Sequence, residues 1–154
     1  MVINPENLVE PFARAGADNI TFHVEAAEKP EEVIELIRAT GKMVGISLKP
    51  STSFNEIKPF MDKVDLVLVM SVEPGFGGQG YIESSTARIA KIKKYLKDNC
   101  LERVQIQVDG GIKLHNAQEV ISAGGNILVA GSEVFGSKNP NQVIKDFYTN
   151  ARSI

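Results

Sequence analysis

A glycine-rich segment is the strongest candidate binding element in the sequence. Ser71–Gly80 reads Ser-Val-Glu-Pro-Gly-Phe-Gly-Gly-Gln-Gly, with four glycines in six positions, and it follows a continuously apolar run. Glycine permits positive φ and close backbone approach, so successive N–H groups can converge on an anion. The segment lacks the Lys-Ser/Thr of a P-loop and the G-x-G-x-x-G order of a dinucleotide site. We therefore expect a phosphate cradle, with a flexible surface loop as the alternative.

Two shorter segments follow apolar runs in the same way. Val108-Asp109-Gly110-Gly111 offers a carboxylate that can ligate a metal or move a proton, although an Asp-Gly turn alone explains three of these four residues. Ala130–Glu133 brings the main-chain N–H groups of Gly131 and Ser132 to the predicted start of a short helix, a common place to bind phosphate. An N-cap serine at position 132 is the alternative, and it is compatible with anion binding.

Other residues could also take part in chemistry, but the sequence supports these roles less strongly. His23 and Glu25 alternate on a predicted strand and share one side of it, which fits a base and ligand pair, but satisfied polar residues at a strand mouth are favoured. Lys49 directly follows a strand and raises a Schiff-base mechanism, with no second residue to support it. His115 is expected to be solvated, and the single Cys100 to be an inert thiol.

Short apolar runs alternate with helical patterns along the chain. Continuously apolar runs are typical of strands covered on both faces in a parallel sheet. The predicted strands are Ile20–Val24, Met43–Leu48, Leu66–Met70, Val104–Val108 and Ile127–Ala130. Helices are predicted between them, at Pro5–Ala15, Pro30–Ala39, Ile82–Leu96, Lys113–Ala123 and after the Asn139-Pro140 start signal.

The pattern predicts a (βα) series with right-handed crossovers. Five parallel strands suit either an open flavodoxin-like sheet or part of a (βα)8 barrel, since a complete barrel needs about 250 residues. In both arrangements the chemistry belongs at the carboxyl ends of the strands, which is where the three segments above lie.

Composition limits the classes of function. The chain has 154 residues, 43% of them hydrophobic, which predicts one soluble domain spanning residues 1–154. Seventeen Lys plus Arg against nineteen Asp plus Glu leave a net charge of −2, so no global field attracts nucleic acid or an anionic membrane. The N-terminus lacks the regions of a signal peptide and no run has the length of a membrane span, so a cytoplasmic protein is expected.

Four motifs together resemble ribulose-phosphate 3-epimerase. They are G-I-S-L-K-P at Gly45–Pro50, V-M-S-V-E-P-G-F-G-G-Q at Val69–Gln79, V-D-G-G-I at Val108–Ile112 and A-G-S at Ala130–Ser132. Their order and spacing run along essentially the whole chain. The resemblance implies a metal-dependent TIM-barrel isomerase of the pentose phosphate pathway that interconverts D-ribulose 5-phosphate and D-xylulose 5-phosphate.

The resemblance also implies residue roles. Asp109 looks like a catalytic aspartate that also ligates a divalent metal (Fe, Zn, Mn or Co), and Met70 looks like a methionine beside the enediolate. The expected phosphate-binding residues are Gly75, Phe76, Gly77, Gly78, Gly110, Gly111, Gly131 and Ser132.

The match departs from the family at its start. Met1-Val2 looks like the last part of the family's third strand, so three of four expected metal ligands and the other catalytic aspartate are missing. We expect an incomplete TIM barrel of about five parallel strands, with weak metal binding and little or no activity. The expected partner is a phosphorylated pentose, and exposed sheet edges favour a homo-oligomer. The alternatives are a non-catalytic phosphate-binding or subunit-interaction remnant, and another ribulose-phosphate-binding barrel enzyme.

Overall fold

The fold is a parallel sheet with helices along one face. The structure is a computed structural model and describes residues 2–152. Five strands lie in the order of the chain: β1 (Asn19–His23), β2 (Met43–Leu48), β3 (Leu66–Met70), β4 (Gln105–Asp109) and β5 (Ile127–Val129). The helices are α1 (Val9–Arg14), α2 (Pro30–Ala39), α3 (Ser84–Asp98), α4 (Leu114–Ala123), α5 (Gly131–Phe135) and α6 (Pro140–Arg152).

The strand order decides between the two predicted architectures. A flavodoxin-like sheet has the order 2-1-3-4-5, whereas each strand here pairs in parallel with the next one along the chain, as around a barrel. Within residues 2–152, β1 and β5 each pair on one side only, so the sheet is not closed. The prediction of an incomplete (βα)8 barrel is confirmed.

Strand positions agree with the prediction to within one residue, and one shift matters for function. β4 covers Gln105–Asp109 rather than Val104–Val108, so Asp109 is the last residue of the strand and is register partner to Met70. The predicted strand end at Met1-Val2 lies partly outside the described residues, because position 1 is not described; Val2 is not in a strand.

The prediction of a helix after every strand is wrong between β2 and β3. Two short 3-10 turns, Phe54–Glu56 and Lys58–Phe60, make this connection. Ser53 Oγ accepts the Asn55 N–H at 3.2 Å, a local bond that competes with helix formation, and Pro59 would interrupt a longer helix.

The first predicted helix also divides into two parts. A 3-10 turn over Pro5–Leu8 runs into α1, which begins two residues before Pro11. Proline is tolerated in the first turn because its missing N–H would have no intrahelical partner there.

The hydrophobic core lies between the outer face of the sheet and the helices. Alternate strand residues such as Ile46, Val69 and Ile106 are fully buried and belong to one cluster with residues of α2, α3 and α4. The opposite face of the same strands is more polar and carries Ser47, Gln107 and Asp109. No helix within residues 2–152 is long and apolar enough to cross a membrane.

Candidate active site

One cavity of about 340 Å³ opens at the carboxyl ends of β3, β4 and β5. The structure brings all the residues predicted to bind, to transfer a proton or to ligate a metal to its lining. They are Met70, Gly75, Phe76, Gly77, Gly78, Asp109, Gly110, Gly111, Gly131 and Ser132. The three segments singled out for their position after strands therefore form one site.

Ser71 joins the glycine segment to the end of β4. Its N–H donates to the Asp109 carbonyl at 2.8 Å, and its fully buried hydroxyl lies 2.7 Å from the Gly110 carbonyl oxygen. The Ile82 N–H donates to the Ser71 carbonyl at 2.9 Å and closes the loop over residues 71–82. The backbone of Asp109 is thus fixed relative to the glycine segment.

Gln79 holds the glycine segment in a compact ring. Its Nε2 donates to the carbonyls of Glu73 at 2.6 Å and Phe76 at 3.0 Å. Gly75 and Gly78 have φ of 153° and 82°, backbone conformations that side chains rarely adopt. The segment is therefore shaped by its own contacts, which argues against the alternative of a plain flexible loop.

The two glycines after Asp109 are required by close approach. A Cβ on Gly110 would lie 2.5 Å from Val72 Cγ2, and one on Gly111 would lie 2.2 Å from the backbone nitrogen of Tyr81. Both glycines also have positive φ, 124° and 64°. The Asp-Gly turn is real, and it is also the surface on which the glycine segment packs.

The Asp109 carboxyl group is the candidate for proton transfer in this cavity. The side chain is half-buried, and burial raises the pKa of its carboxyl group above the usual value. No hydrogen bond to this carboxyl group occurs within residues 2–152, so both of its oxygens are available to a ligand. A carboxyl group with a raised pKa that lines a cavity is a typical general acid or base.

A divalent metal does not fit the side chains that the structure describes. Within residues 2–152 no three His, Cys, Asp or Glu residues cluster in a way that could hold a metal ion. Asp109 supplies one carboxylate, whereas such metals bind several nitrogen or oxygen ligands.

The segment after β5 contributes the third side of the cavity. Gly131 is the first residue of α5 and Ser132 the second, while Ala130 occupies the N-cap position. The N-cap role considered for Ser132 is therefore wrong, because β5 ends at Val129 and the helix begins immediately. Glu133 accepts the Leu114 N–H at 3.2 Å, which ties α5 to α4.

His23 and Glu25 form a satisfied polar pair, as favoured from the sequence. His23 Nδ1 lies 3.2 Å from Glu25 Oε2, and Glu25 Oε1 accepts the Lys49 N–H at 2.7 Å and the Thr52 hydroxyl. Burial raises the pKa of Glu25, but the hydrogen bonds donated by Lys49 and Thr52 lower it by more. The pKa of Glu25 therefore lies below its usual value. Glu25 is thus held ionised as a structural acceptor. His115 is exposed, as expected.

Three residues that shape the site were missed from the sequence. Ser71 and Gln79 stand inside the glycine-rich motif without an assigned role, and Asn116 donates to the Gly111 carbonyl at 3.0 Å. All three side chains donate hydrogen bonds to backbone carbonyls, and the spacing of residues in a sequence does not predict such partners.

One known family matches this chain over most of its length. The model of the ribulose-phosphate 3 epimerase family matches residues 1–135. The ribulose-phosphate 3-epimerase of Buchnera aphidicola subsp. Schizaphis graminum is 41% identical over 145 residues, covering 94% of this chain and 63% of that protein. The Schizosaccharomyces pombe enzyme is 40% identical, with 94% and 61% covered, and the Escherichia coli K12 enzyme is 36% identical, with 95% and 64% covered.

Solved structures share the fold. A 3-hexulose-6-phosphate synthase superposes with a TM-score of 0.69 at 21% identity, covering 96% of this chain and 68% of that one. The KGPDC of Streptococcus mutans gives 0.73 at 14% identity, with 98% and 68% covered. This chain spans less than two thirds of the length of the three relatives above, at 61% to 64%. With the family model matching most of its length, the chain belongs to the ribulose-phosphate 3-epimerase family.

Proposed function

We propose that the chain binds D-ribulose 5-phosphate and takes part in its interconversion with D-xylulose 5-phosphate, a reaction of the pentose phosphate pathway. One observation carries the proposal: the half-buried Asp109 carboxyl group shares a cavity of about 340 Å³ with three glycine-bearing segments. The glycine segments bind the phosphate through main-chain N–H groups, and Asp109 faces the sugar carbon whose configuration changes.

The chemistry needs a proton removed from one face of carbon 3 and returned to the other face. Asp109 serves one face, because its half-buried carboxyl group lines the cavity and burial raises its pKa. Met70, the register partner of Asp109, lies beside the reacting carbon and adds no charge. Glu73 also lines the cavity, but it is exposed on the loop. The described residues thus supply one half-buried acid, and we propose that the chain alone turns over slowly or not at all.

A divalent metal is part of the expected chemistry of the family. Asp109 is the ligand that the described residues offer to Fe, Zn, Mn or Co, and a single carboxylate holds such ions weakly. Weak metal binding that is lost in Asp109→Asn is the corresponding expectation.

Calorimetry and turnover assays test the proposal together. The purified chain is titrated with inorganic phosphate and with D-ribulose 5-phosphate, and turnover is measured with added Fe(II), Mn(II), Co(II) or Zn(II). We expect binding of both ligands and turnover far below that of the Escherichia coli relative assayed in parallel. Failure to bind the sugar phosphate would contradict the binding proposal, and turnover near that of the relative would contradict the slow-reaction proposal.

A non-catalytic phosphate-binding protein is the second candidate. It is favoured because, among residues 2–152, one half-buried acid lines the cavity. Asp109→Asn separates the two, with Asp98→Asn on the exposed face of α3 as the matched control. Residual turnover that disappears in Asp109→Asn alone supports the enzyme, whereas phosphate binding without turnover in any of the three proteins supports the second candidate.

A further inference from the structure

A second cavity, of about 740 Å³, adjoins the first one. His23, Glu25, Lys49 and Pro74 line it, together with residues near the N-terminus. Pro74 lines both cavities, so they meet at the glycine segment. A ligand with its phosphate in the first cavity can therefore extend toward the second.

The strand register places Lys49 in line with Asp109. Leu48 is register partner to Val69, so Lys49 is one step further along, beside Met70, and Met70 is partner to Asp109. Neighbouring strands are about 4.8 Å apart, so the Cα atoms of Lys49 and Asp109 are roughly 10 Å apart across β3. Lys49 lines the second cavity together with His23, which is the register partner of Ser47 on the inner face. An extended lysine can reach a ligand held beside Asp109.

The backbone of Lys49 is held on both sides. Its N–H donates to Glu25 Oε1 at 2.7 Å, and its carbonyl accepts from Arg88 Nη1 at 2.6 Å. Arg88 Nη2 also donates to the Pro50 carbonyl. Arg88 belongs to α3, the helix that follows the glycine segment. We call these contacts of Glu25 and Arg88 the Lys49 clamp.

The ammonium group of Lys49 is free to meet a ligand. Within residues 2–152 it has no ion pair and no hydrogen bond, although the side chain is half-buried. The adjacent Glu25 carboxylate is occupied by the Lys49 N–H, Thr52 and His23. An unpaired cation at a cavity creates a local positive potential that favours an anionic or oxygen-rich ligand.

We propose that Lys49 is a substrate-contacting residue whose ammonium group binds the oxygens at the reacting end of the sugar phosphate. The inference rests on the proposed function, because the phosphate in the first cavity orients the sugar toward Lys49. When Asp109 accepts the proton from carbon 3, the electron pair of the broken C–H bond moves to the neighbouring carbonyl oxygen, and the ammonium group stabilises the resulting negative charge. No covalent bond to Lys49 forms. Glu25 and Arg88 are positioning residues that act through the Lys49 backbone.

Calorimetry with three probes tests the role of Lys49. Inorganic phosphate reports the glycine cavity alone, D-ribulose 5-phosphate reports the whole site, and 4-phospho-D-erythronate carries a carboxylate where negative charge develops. Lys49→Met should weaken the phosphoerythronate affinity by about tenfold or more, because a charge-assisted contact is lost, and should leave phosphate affinity unchanged. Lys49→Arg keeps the positive charge and should retain part of the phosphoerythronate affinity. Lys42→Met, just before β2 at its opposite end, removes the same charge and should change neither affinity.

The Lys49 clamp is tested by a ratio of affinities. Arg88→Met should lower phosphoerythronate affinity relative to phosphate affinity, and Arg88→Lys should restore part of the ratio. A general loss of structure would lower both affinities together, and thermal unfolding of each variant detects it.

The outcomes separate the two proposals. A wild-type chain that binds phosphate and phosphoerythronate, with Lys49→Met unchanged in both affinities, overturns the role of Lys49 and leaves the proposed function in place. A wild-type chain that binds neither probe overturns both. A loss of phosphoerythronate affinity confined to Lys49→Met and the Arg88 variants supports the inference.

Discussion

The Asp109 carboxyl group that we propose for proton transfer also lowers the stability of the folded protein when it is ionised. It is half-buried at the end of β4, and within residues 2–152 no donor supports its ionised form. The folded protein therefore holds the carboxyl proton more tightly than the unfolded chain does. Ionisation of Asp109 costs stability at every pH above the ordinary pKa of 3.8, and the cost is largest once the folded-state group has also ionised.

Asp109→Asn should stabilise the fold while removing proton transfer. We expect the free energy of unfolding at pH 7 to rise by about 0.5 kcal/mol, a modest gain because solvent still screens a half-exposed carboxylate. The gain should disappear below about pH 3.8, where the carboxyl group is protonated in both states. Urea unfolding across pH measures it, and a less stable variant at pH 7 would count against an unsupported carboxylate.

For Glu25 we expect the opposite dependence of protein stability on pH. Its folded pKa lies below the ordinary 4.5, so its stabilising contribution is fully present above about pH 4.5 and is lost as the pH falls through the folded pKa. Glu25→Gln should cost about 1 kcal/mol at pH 7, after allowance for solvent screening, and much less at pH 3. Glu28→Gln, on a neighbouring exposed residue, is the control and should show no such difference. Equal losses for both variants would contradict the role of Glu25.

At the scale of elements, the glycine segment and the turn after β4 are fitted to each other. The loop over residues 71–82 packs so closely on Gly111 that no side chain fits between the two backbones. This contact places the phosphate-binding segment over Asp109.

Gly111→Ala should therefore destabilise the protein by at least about 2 kcal/mol, because the new Cβ meets the backbone of Tyr81. Gly80→Ala is the matched control, since a Cβ there meets nothing within 4 Å. Thermal and urea unfolding of the two variants measure the difference. Comparable stability of the two variants would show that the loop can move away from the turn.

The elements that could be predicted from the sequence are those with strong local signals. The continuous apolar run of β3 and the Asn139-Pro140 start of α6 both identify their elements, and Asn139 Oδ1 accepts the Gln142 N–H at 3.2 Å as a helix cap should. The three cavity segments were found because glycines and an acid follow strands. The connection between β2 and β3 was predicted wrongly as a helix, since the local Ser53 bond and Pro59 favour short 3-10 turns there. Arg88 was missed because its partners, Lys49 and Pro50, are backbone carbonyls distant in sequence.

At the scale of the whole molecule, we propose that the two outer strands mediate self-association of the chain. β1 and β5 expose unpaired backbone groups on one side within residues 2–152, and such edges favour pairing with another chain. A groove of about 310 Å³ lies at the free edge of β1, and Phe12, which is 53% exposed, lines it.

Phe12→Lys should weaken self-association of the purified chain, because a charge at the free edge opposes strand pairing and apolar contact. Leu36→Lys on α2 is the matched control, since Leu36 is 46% exposed and does not line this groove. Sedimentation velocity over a range of concentrations should show a concentration-dependent mass that falls only in Phe12→Lys. A single mass at all concentrations for the wild-type chain would contradict association through this edge.

The bond between the Lys49 N–H and Glu25 has a spectroscopic consequence. This amide, just past the end of β2, donates to a side chain rather than to a backbone carbonyl of the neighbouring strand. Its exchange with deuterated solvent therefore follows the motion of one carboxylate, not the opening of the sheet. In a nitrogen-15 spectrum, the resonance of this one amide therefore reports how mobile the Glu25 carboxylate is at the edge of the proposed sugar-binding site.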